Sequence, residues 1–445
     1  ILAELGLPML NTLAGKSLNI NLLHDAVLLG GIAVLVLTMG VAAGFYPALV
    51  MSGFRPLQVL KGSYSRSRHG TVLRRALVVF QFSLAVAIIA GTMIVQSQIQ
   101  YILHRDMGYD RSHVLLLDFN GQHLGQGQAA FRERLASIPE VVRIGGATSV
   151  PGRGFGRNSI RPEGVPDEDI WIWSVMNVDY DLLPALGIEI AQGRNFSREY
   201  GADSTGSVLI NQTAADLLGW EEPVGKRIYY GDSDSVGVEV IGVTEDFNFA
   251  SVHEKIEPIL VSFANKGTST LSIRLEEGHI PAAMEKIETA WNEVYEGYPF
   301  EYAFMDEEFE EQYRADLTFG TLSAWFSGLA IVVAGLGLLG LASYSTEQRR
   351  KEIGVRKVLG ASMGSITWML IVDFLRWVAI ANVIALPVAW YVGRMWLQGF
   401  EYRTSITAAP FLQALLVSLA IAVLTVLWQS LRAAQSNPVD SLKYE

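Results

Sequence analysis

The sequence predicts a multi-pass α-helical membrane protein with a large mixed α/β extracytoplasmic domain, and two observations predict it. Hydrophobic residues make up 50% of the 445 residues and gather in a few long runs rather than spreading evenly. A polar, acid-rich block, residues 99–316, separates the second run from the third. Composition also excludes several classes. There is no cysteine, which rules out a disulfide scaffold, a zinc–thiolate site and a cysteine nucleophile. A net charge of −11 argues against a nucleic-acid partner. The chain opens on Ile1 rather than Met, without the basic region of a signal peptide, so further sequence is expected upstream.

A helix needs about 20 predominantly apolar residues to cross a bilayer. Five runs reach that length: 26–49, 76–95, 317–343, 366–392 and 409–431. One such run alone reads equally as a buried core helix. Five together, with Gly335, Gly337 and Gly340 inside the third, favour crossing. The fourth run carries Asp373 and Arg376, three residues apart and so on one helical face. Each charge costs about 2.5–3.5 kcal/mol at a helix centre. Either the helix starts in the interface with this pair near its cytoplasmic end, or the pair is an intramembrane contact that responds to helix motion. Pro387 in the same run is expected to bend the helix or interrupt its hydrogen-bond ladder.

Lysine and arginine in short loops set orientation. The loop after the first run carries Arg55, Lys61, Arg66, Arg68, Arg74 and Arg75 and no acid. The loop between the third and fourth runs carries Arg349, Arg350, Lys351, Arg356 and Lys357. Both are expected to be cytoplasmic, which puts the block at 99–316 outside and the C-terminal tail inside. The segment 46–62, YPALVMSGFRPLQVLKG, is echoed at 428–445, WQSLRAAQSNPVDSLKYE. Pro56 precedes Leu60-Lys61 by the same spacing as Pro438 precedes Leu442-Lys443. These are two unrelated helix exits, or the ends of a duplicated repeat. On the second reading residues 1–72 hold the last span and cytoplasmic tail of a preceding repeat. The next repeat then comprises a span at 73–98, the external domain at 99–316 and a three-span domain at 317–445.

The external block reads as mixed α/β. Residues 114–118, 208–210 and 238–243 are short apolar or β-branched runs, and Trp171, Trp173 and Val175 alternate as in a half-buried strand. Residues 133–138 have helical spacing. Residues 281–294 read as an amphipathic helix with Pro281 in its first turn and Met284, Ile287 and Trp291 on one face. Residues 306–314 are expected to continue into the third span as a stalk, and 96–104 to extend the second. Signs of chemistry are weak. Gly152, Gly154 and Gly156 lack the strand–turn–helix setting of a dinucleotide fingerprint and read as a flexible loop. His104, His113, His123 and His253 are scattered, and Asp232 and Asp234 read as a solvated turn. Neither a nucleophile elbow nor a Walker A motif occurs, so no ATPase or other catalytic motif is assigned to this chain.

The most informative stretch is 345–362, STEQRRKEIGVRKVLGAS. It reads as a short amphipathic helix under the bilayer, with Ile353, Val355, Val358 and Leu359 on its apolar side and five basic residues facing headgroups or a partner. It reads equally as a basic loop that only fixes topology. The stretch resembles the cytoplasmic signature of FtsX-like permeases, QR-x-KEIG-x-RK-x-LGA. The corresponding residues are Gln348, Arg349, Lys351, Glu352, Ile353, Gly354, Arg356, Lys357, Leu359, Gly360 and Ala361. Residues 193–228 and 240–260 resemble the MacB-like periplasmic core of the same transporters.

The resemblance implies a permease subunit in a bacterial inner membrane, with residues 99–316 periplasmic. It implies mechanotransmission: an ABC ATPase dimer, which itself binds ATP and magnesium, drives the signature residues, and the motion reaches an external domain built of two subdomains. The inserted subdomain is placed within 180–240. The duplication argues for a separate ATPase over a fused one. Membrane lipid is an implied partner, and a periplasmic adaptor or outer-membrane channel a further one. The implied function is export or extraction of a peptide, macrolide or lipoprotein. The alternative is a non-transporting signalling scaffold that activates a cell-wall hydrolase.

Overall fold

The computed structural model describes residues 7–8, 11, 26–52, 68–119, 127–166, 169–230, 237–264 and 267–434. The chain divides into a helical unit (Ile1–Gln96, Leu317–Arg394 and Ile406–Glu445) and a strand-rich unit (Ser97–Asp316 with Met395–Ser405). Most of the echo between 46–62 and 428–445, including both proline-to-lysine spacings, lies outside the described residues, as do His123, Asp232 and Asp234.

The first apolar run forms α1 (Ala26–Ser52). This helix is 27 residues long, and its side chains are described without a break over 26–41. Helix α2 (Arg68–His104) contains the second run and continues past it to His104, as the sequence predicts.

The strand-rich unit holds one continuous 11-stranded sheet, whose two parts join where Ala147 pairs with Val178. Strands β1 (Val114–Asp118), β2 (Val141–Ala147), β10 (Thr270–Leu275) and β11 (Tyr302–Phe304) form an antiparallel part in the order β11-β1-β10-β2. Helices α3 (Gln128–Ala136) and α7 (Ile280–Val294) supply Phe131, Leu135, Ile287 and Trp291 to a core shared with Leu115, Leu117, Leu271 and Ile273. The alternate residues Val114 and Leu116 belong to a second core, as the two-residue period of a strand requires. Phe131 and Trp291 meet edge to face, 5.5 Å between centroids, a geometry that aromatic quadrupoles favour.

Between β2 and β10 the chain builds a closed ring. It comprises β3 (Gly156–Pro162), β4 (Trp171–Val178), β6 (Ser207–Asn211), β7 (Arg227–Tyr230), β8 (Val238–Thr244) and β9 (Ile259–Phe263). The pairing runs β4-β3-β7-β8-β6-β9, and β9 returns to β4 in parallel, so the cycle has no unpaired edge. Strand β5 (Ile190–Gly193) hangs on β8, and helices α4 (Leu182–Leu186), α5 (Asp203–Gly206) and α6 (Gln212–Leu218) fill the connections. Ile160, Trp173, Val175, Val208, Ile210 and Val240 pack into one core. Asn211 caps α6 by accepting the Ala214 N–H at 3.2 Å, and the same oxygen accepts the Ile259 N–H at 3.1 Å. The ring spans 156–263 and contains the whole stretch 180–240 expected to hold an inserted subdomain, because it closes only when β3, β4 and β9 take part.

Two further expectations change. The glycine-rich turn is tied down rather than free. Gly152 and Gly154 adopt φ of 94° and 57°, and Arg153 between them donates to Asp118 at 2.6 Å and to Glu308 at 2.7 Å. The stalk is not continuous either. Helix α8 (Met305–Gln312) ends and α9 (Arg314–Gln348) begins across Tyr313. The Tyr313 ring is buried, and its hydroxyl accepts the Val252 N–H at 2.9 Å. Anchoring that side chain costs the helix one residue of regular geometry.

In the helical unit, a short helix α10 (Arg350–Val358) leads to α11 (Met363–Leu397) and α12 (Ala409–Ala434). Among the described residues four helices, α2, α9, α11 and α12, are long and apolar enough to cross a membrane, and the first run lies in α1, whose side chains are only partly described. Phe82, Leu338, Leu370, Phe374 and Val378 make one interhelical core, and Ala90, Ala385, Ala389 and Ala414 make another where small side chains let backbones approach. Two polar pairs lie inside the bundle: Thr92 and Ser327 hydroxyls are 2.8 Å apart, and Asn382 donates to Ser418 at 3.1 Å. Pro387 lies within α11, which runs on through it. Trp325, Phe326, Leu336, Val383 and Leu424 point outward, a surface suited to acyl chains rather than water.

Gly193 has φ 74°, and a Cβ there would sit 2.3 Å from the Ile241 carbonyl oxygen. Gly193→Ala is expected to cost about 2–3 kcal/mol and to lower the thermal midpoint of the strand-rich unit by about 4–10 °C. Gly201→Ala, with nothing within 4 Å, is expected to leave it unchanged. A scan of the detergent-solubilised protein checks both.

Candidate functional site

The signature residues occupy the turn from α9 through α10 into α11. Gln348 ends α9 and donates its side-chain amide to the Tyr344 hydroxyl at 2.7 Å. Arg349 is the hinge. Its N–H reaches both Ser345 and Thr346 carbonyls at 3.2 Å, while its own carbonyl accepts the Ile353 N–H at 2.9 Å and so starts α10. Its guanidinium donates to Asp373 on α11 at 2.6 Å. Both side chains are about one-third exposed. Asp373 lies ten residues into α11, about 15 Å along its axis at 1.5 Å per residue. The expected pairing of Asp373 with Arg376 is present but longer, 3.9 Å. Asp373 thus ties α9 to α11 more closely than it serves its own helix.

Helix α10 is held at both ends and within. Glu352 accepts from Arg356 at 2.8 Å, one turn apart. Arg356 also donates to the Met369 sulfur at 2.6 Å. Gly360 stops the helix with φ 91°, and the Ala361 N–H reaches back to the Arg356 carbonyl at 2.9 Å, the six-to-one bond of a Schellman cap. The Leu-Gly-Ala of the signature is therefore a helix stop. Ser362 then opens α11, accepting the Ser365 N–H on its hydroxyl at 3.2 Å. Lys351 and Lys357 fall on α10 by their backbone, and their side chains lie outside the described residues.

The apolar side of α10 is not one face. Ile353 is 5% exposed and packs into the interhelical core, and Gly354 is buried beside it. Val355, Val358 and Leu359 are 49%, 67% and 79% exposed. Residues two apart on a helix point in opposite directions, so Ile353 and Val355 cannot share a side, whereas 355, 358 and 359 do. One residue anchors the helix inward and three form an outward apolar face. The reach of Asp373 to Arg349 and the placement of Arg75 over the Trp377 ring at 5.2 Å are not legible in the sequence. The only sequence signal was charge at the ends of neighbouring apolar runs.

Four membrane-length helices, a strand-rich domain inserted in sequence after the first of them, and a capped basic helix between the second and third define a helical class with one large α/β insertion. Residues 324–438 match the FtsX-like permease C-terminal family, and residues 76–290 match the MacB-like periplasmic core domain. The chain belongs to the ABC transporter permeases of the FtsX-like, MacB type. It is 22% identical over 289 residues to the macrolide export ATP-binding/permease protein MacB 2 of Aeromonas hydrophila, covering 61% of this chain and 43% of that protein. It is 22% identical over 276 residues to the ABC transporter permease YknZ of Bacillus subtilis, covering 58% of this chain and 66% of that protein. The crystal structure of the periplasmic region of MacB from Actinobacillus actinomycetemcomitans matches with a TM-score of 0.35 and 12% identity, over 48% of this chain and 97% of that one. The chain thus spans less than half the length of the MacB relative and about two thirds of YknZ.

Gly360→Val forces a β-branched residue into a left-handed conformation. It is expected to loosen the α10 cap by about 1 kcal/mol, read as roughly fivefold faster amide exchange across 350–361. Unchanged exchange there would remove the capping role.

Proposed function

We propose that this chain is the permease subunit that carries ATPase-driven motion across a bacterial inner membrane to a periplasmic domain formed by residues 99–316. ATP and magnesium are held by a separate ABC ATPase dimer, which does the hydrolysis. The observation that carries the reading is the division of labour on α10. Val355, Val358 and Leu359 face outward with no cover among the described residues, while Ile353 and the Arg349–Asp373 pair fasten the helix to α9 and α11. A partner that pushes on the exposed face moves two spans at once. The work proposed for it is export or extraction of a peptide, macrolide or lipoprotein, a reading supported by its similarity to a macrolide export protein, with a periplasmic adaptor or outer-membrane channel as a further partner.

Glu352→Lys with Gly354→Pro breaks the Arg356 pair and places a proline inside α10, which costs about 3 kcal/mol or more. The variant is expected to insert normally yet lose at least tenfold of its stimulation of the ATPase in proteoliposomes. Full stimulation by the variant would overturn the coupling role.

A further inference from the structure

A cavity of about 310 Å³ opens among α2, α9 and α11 beside the α9–α10 hinge. Its size is at the low end of small-ligand sites, about 300–1,000 Å³. Three guanidinium groups line it, those of Arg75, Arg349 and Arg376, against a single carboxylate, Asp373. Arg349 satisfies Asp373 at 2.6 Å, and Arg376 stands 3.9 Å from it. Arg75 lies over the Trp377 ring at 5.2 Å, a contact that leaves its charge uncompensated. The cavity therefore holds an excess of two positive charges in a setting that water only partly screens.

We propose that this cavity binds the phosphate headgroup of an anionic phospholipid. Guanidinium forks match phosphate oxygens in charge and geometry, and basic pockets between spans are suited to lipid headgroups. Two further features favour a lipid over a soluble anion. Tyr344 and Trp377, both lining residues, are the amphipathic aromatics that settle at headgroup level. Helix α2, which brings Arg75, next exposes Leu77, Phe80 and Leu84 (51%, 65% and 51%), a surface for the acyl chains. A headgroup here would touch the hinge residue Arg349 directly, making lipid charge an input to the α9–α10 turn. The inference rests on the bundle lying in a membrane and not on any ATPase partner.

Native mass spectrometry of the purified full-length protein tests it, with phosphatidylglycerol and phosphatidylcholine titrated separately and inorganic phosphate as competitor. The wild type is expected to retain phosphatidylglycerol at least tenfold better than phosphatidylcholine, with excess inorganic phosphate failing to displace it. Arg75→Ala with Arg376→Ala is expected to bring the two lipids to parity. Arg376→Gln alters a side chain that is 73% exposed and is therefore the milder variant, expected to lose about threefold. Equal retention of both lipids by the wild type, or undiminished preference in both variants, would overturn the site. Displacement by inorganic phosphate would overturn the lipid assignment in favour of a soluble anion. ATPase activity is not read, so failure of the coupling proposal cannot mimic either result.

Discussion

The hydrocarbon interior of a bilayer offers no hydrogen-bond partner to an exposed backbone group, and each unsatisfied group there costs several kcal/mol. That constraint organises the helical unit. Every long apolar run is helix, so the backbone satisfies itself. Of the polar side chains that remain inside, Thr92 pairs with Ser327 and Asn382 with Ser418, while the Thr367 hydroxyl has no partner among the described residues. Large apolar side chains face outward, where a soluble protein would aggregate. Ionised groups gather by the α9–α10 hinge, where Arg349 and Asp373 neutralise one another while keeping partial access to water.

The strand-rich unit answers a different constraint, that an open sheet edge invites association. Its ring solves this by closing β9 onto β4. The antiparallel part joined to it buries one face under α3 and α7. Glycine is required where backbones nearly touch, as at Gly193 against Ile241, and the pinned turn at Arg153 shows that glycine richness need not mean freedom.

Periodicity made much of this legible from sequence alone. The long runs became helices, 114–118 and 238–243 became strands, and Pro281 opened an amphipathic helix with Ile287 and Trp291 inward. What could not be read depends on contacts distant in sequence. The parallel β4–β9 pairing joins residues some eighty positions apart, so closure of the ring is invisible to local periodicity. The break at Tyr313 is caused by an anchor on Val252, invisible in a stretch of good helix formers. For the candidate site, the signature located α10 and its glycine stop. It did not show that Ile353 turns inward while Val355, Val358 and Leu359 turn out, although the two-residue offset between 353 and 355 contained that information. Nor did it show Asp373 reaching Arg349 across helices.

The proposed mechanism requires the α10 face and the strand-rich domain to lie on opposite sides of one membrane. Ser159 on β3 and Leu359 beyond α10 are both exposed and report each side. These 445 residues contain no cysteine, so Ser159→Cys and Leu359→Cys each place a single thiol within them. In spheroplasts treated with an impermeant thiol reagent, Ser159→Cys should label at once and Leu359→Cys only after lysis. Labelling of both before lysis, or of Leu359→Cys alone, would contradict transmission across the bilayer.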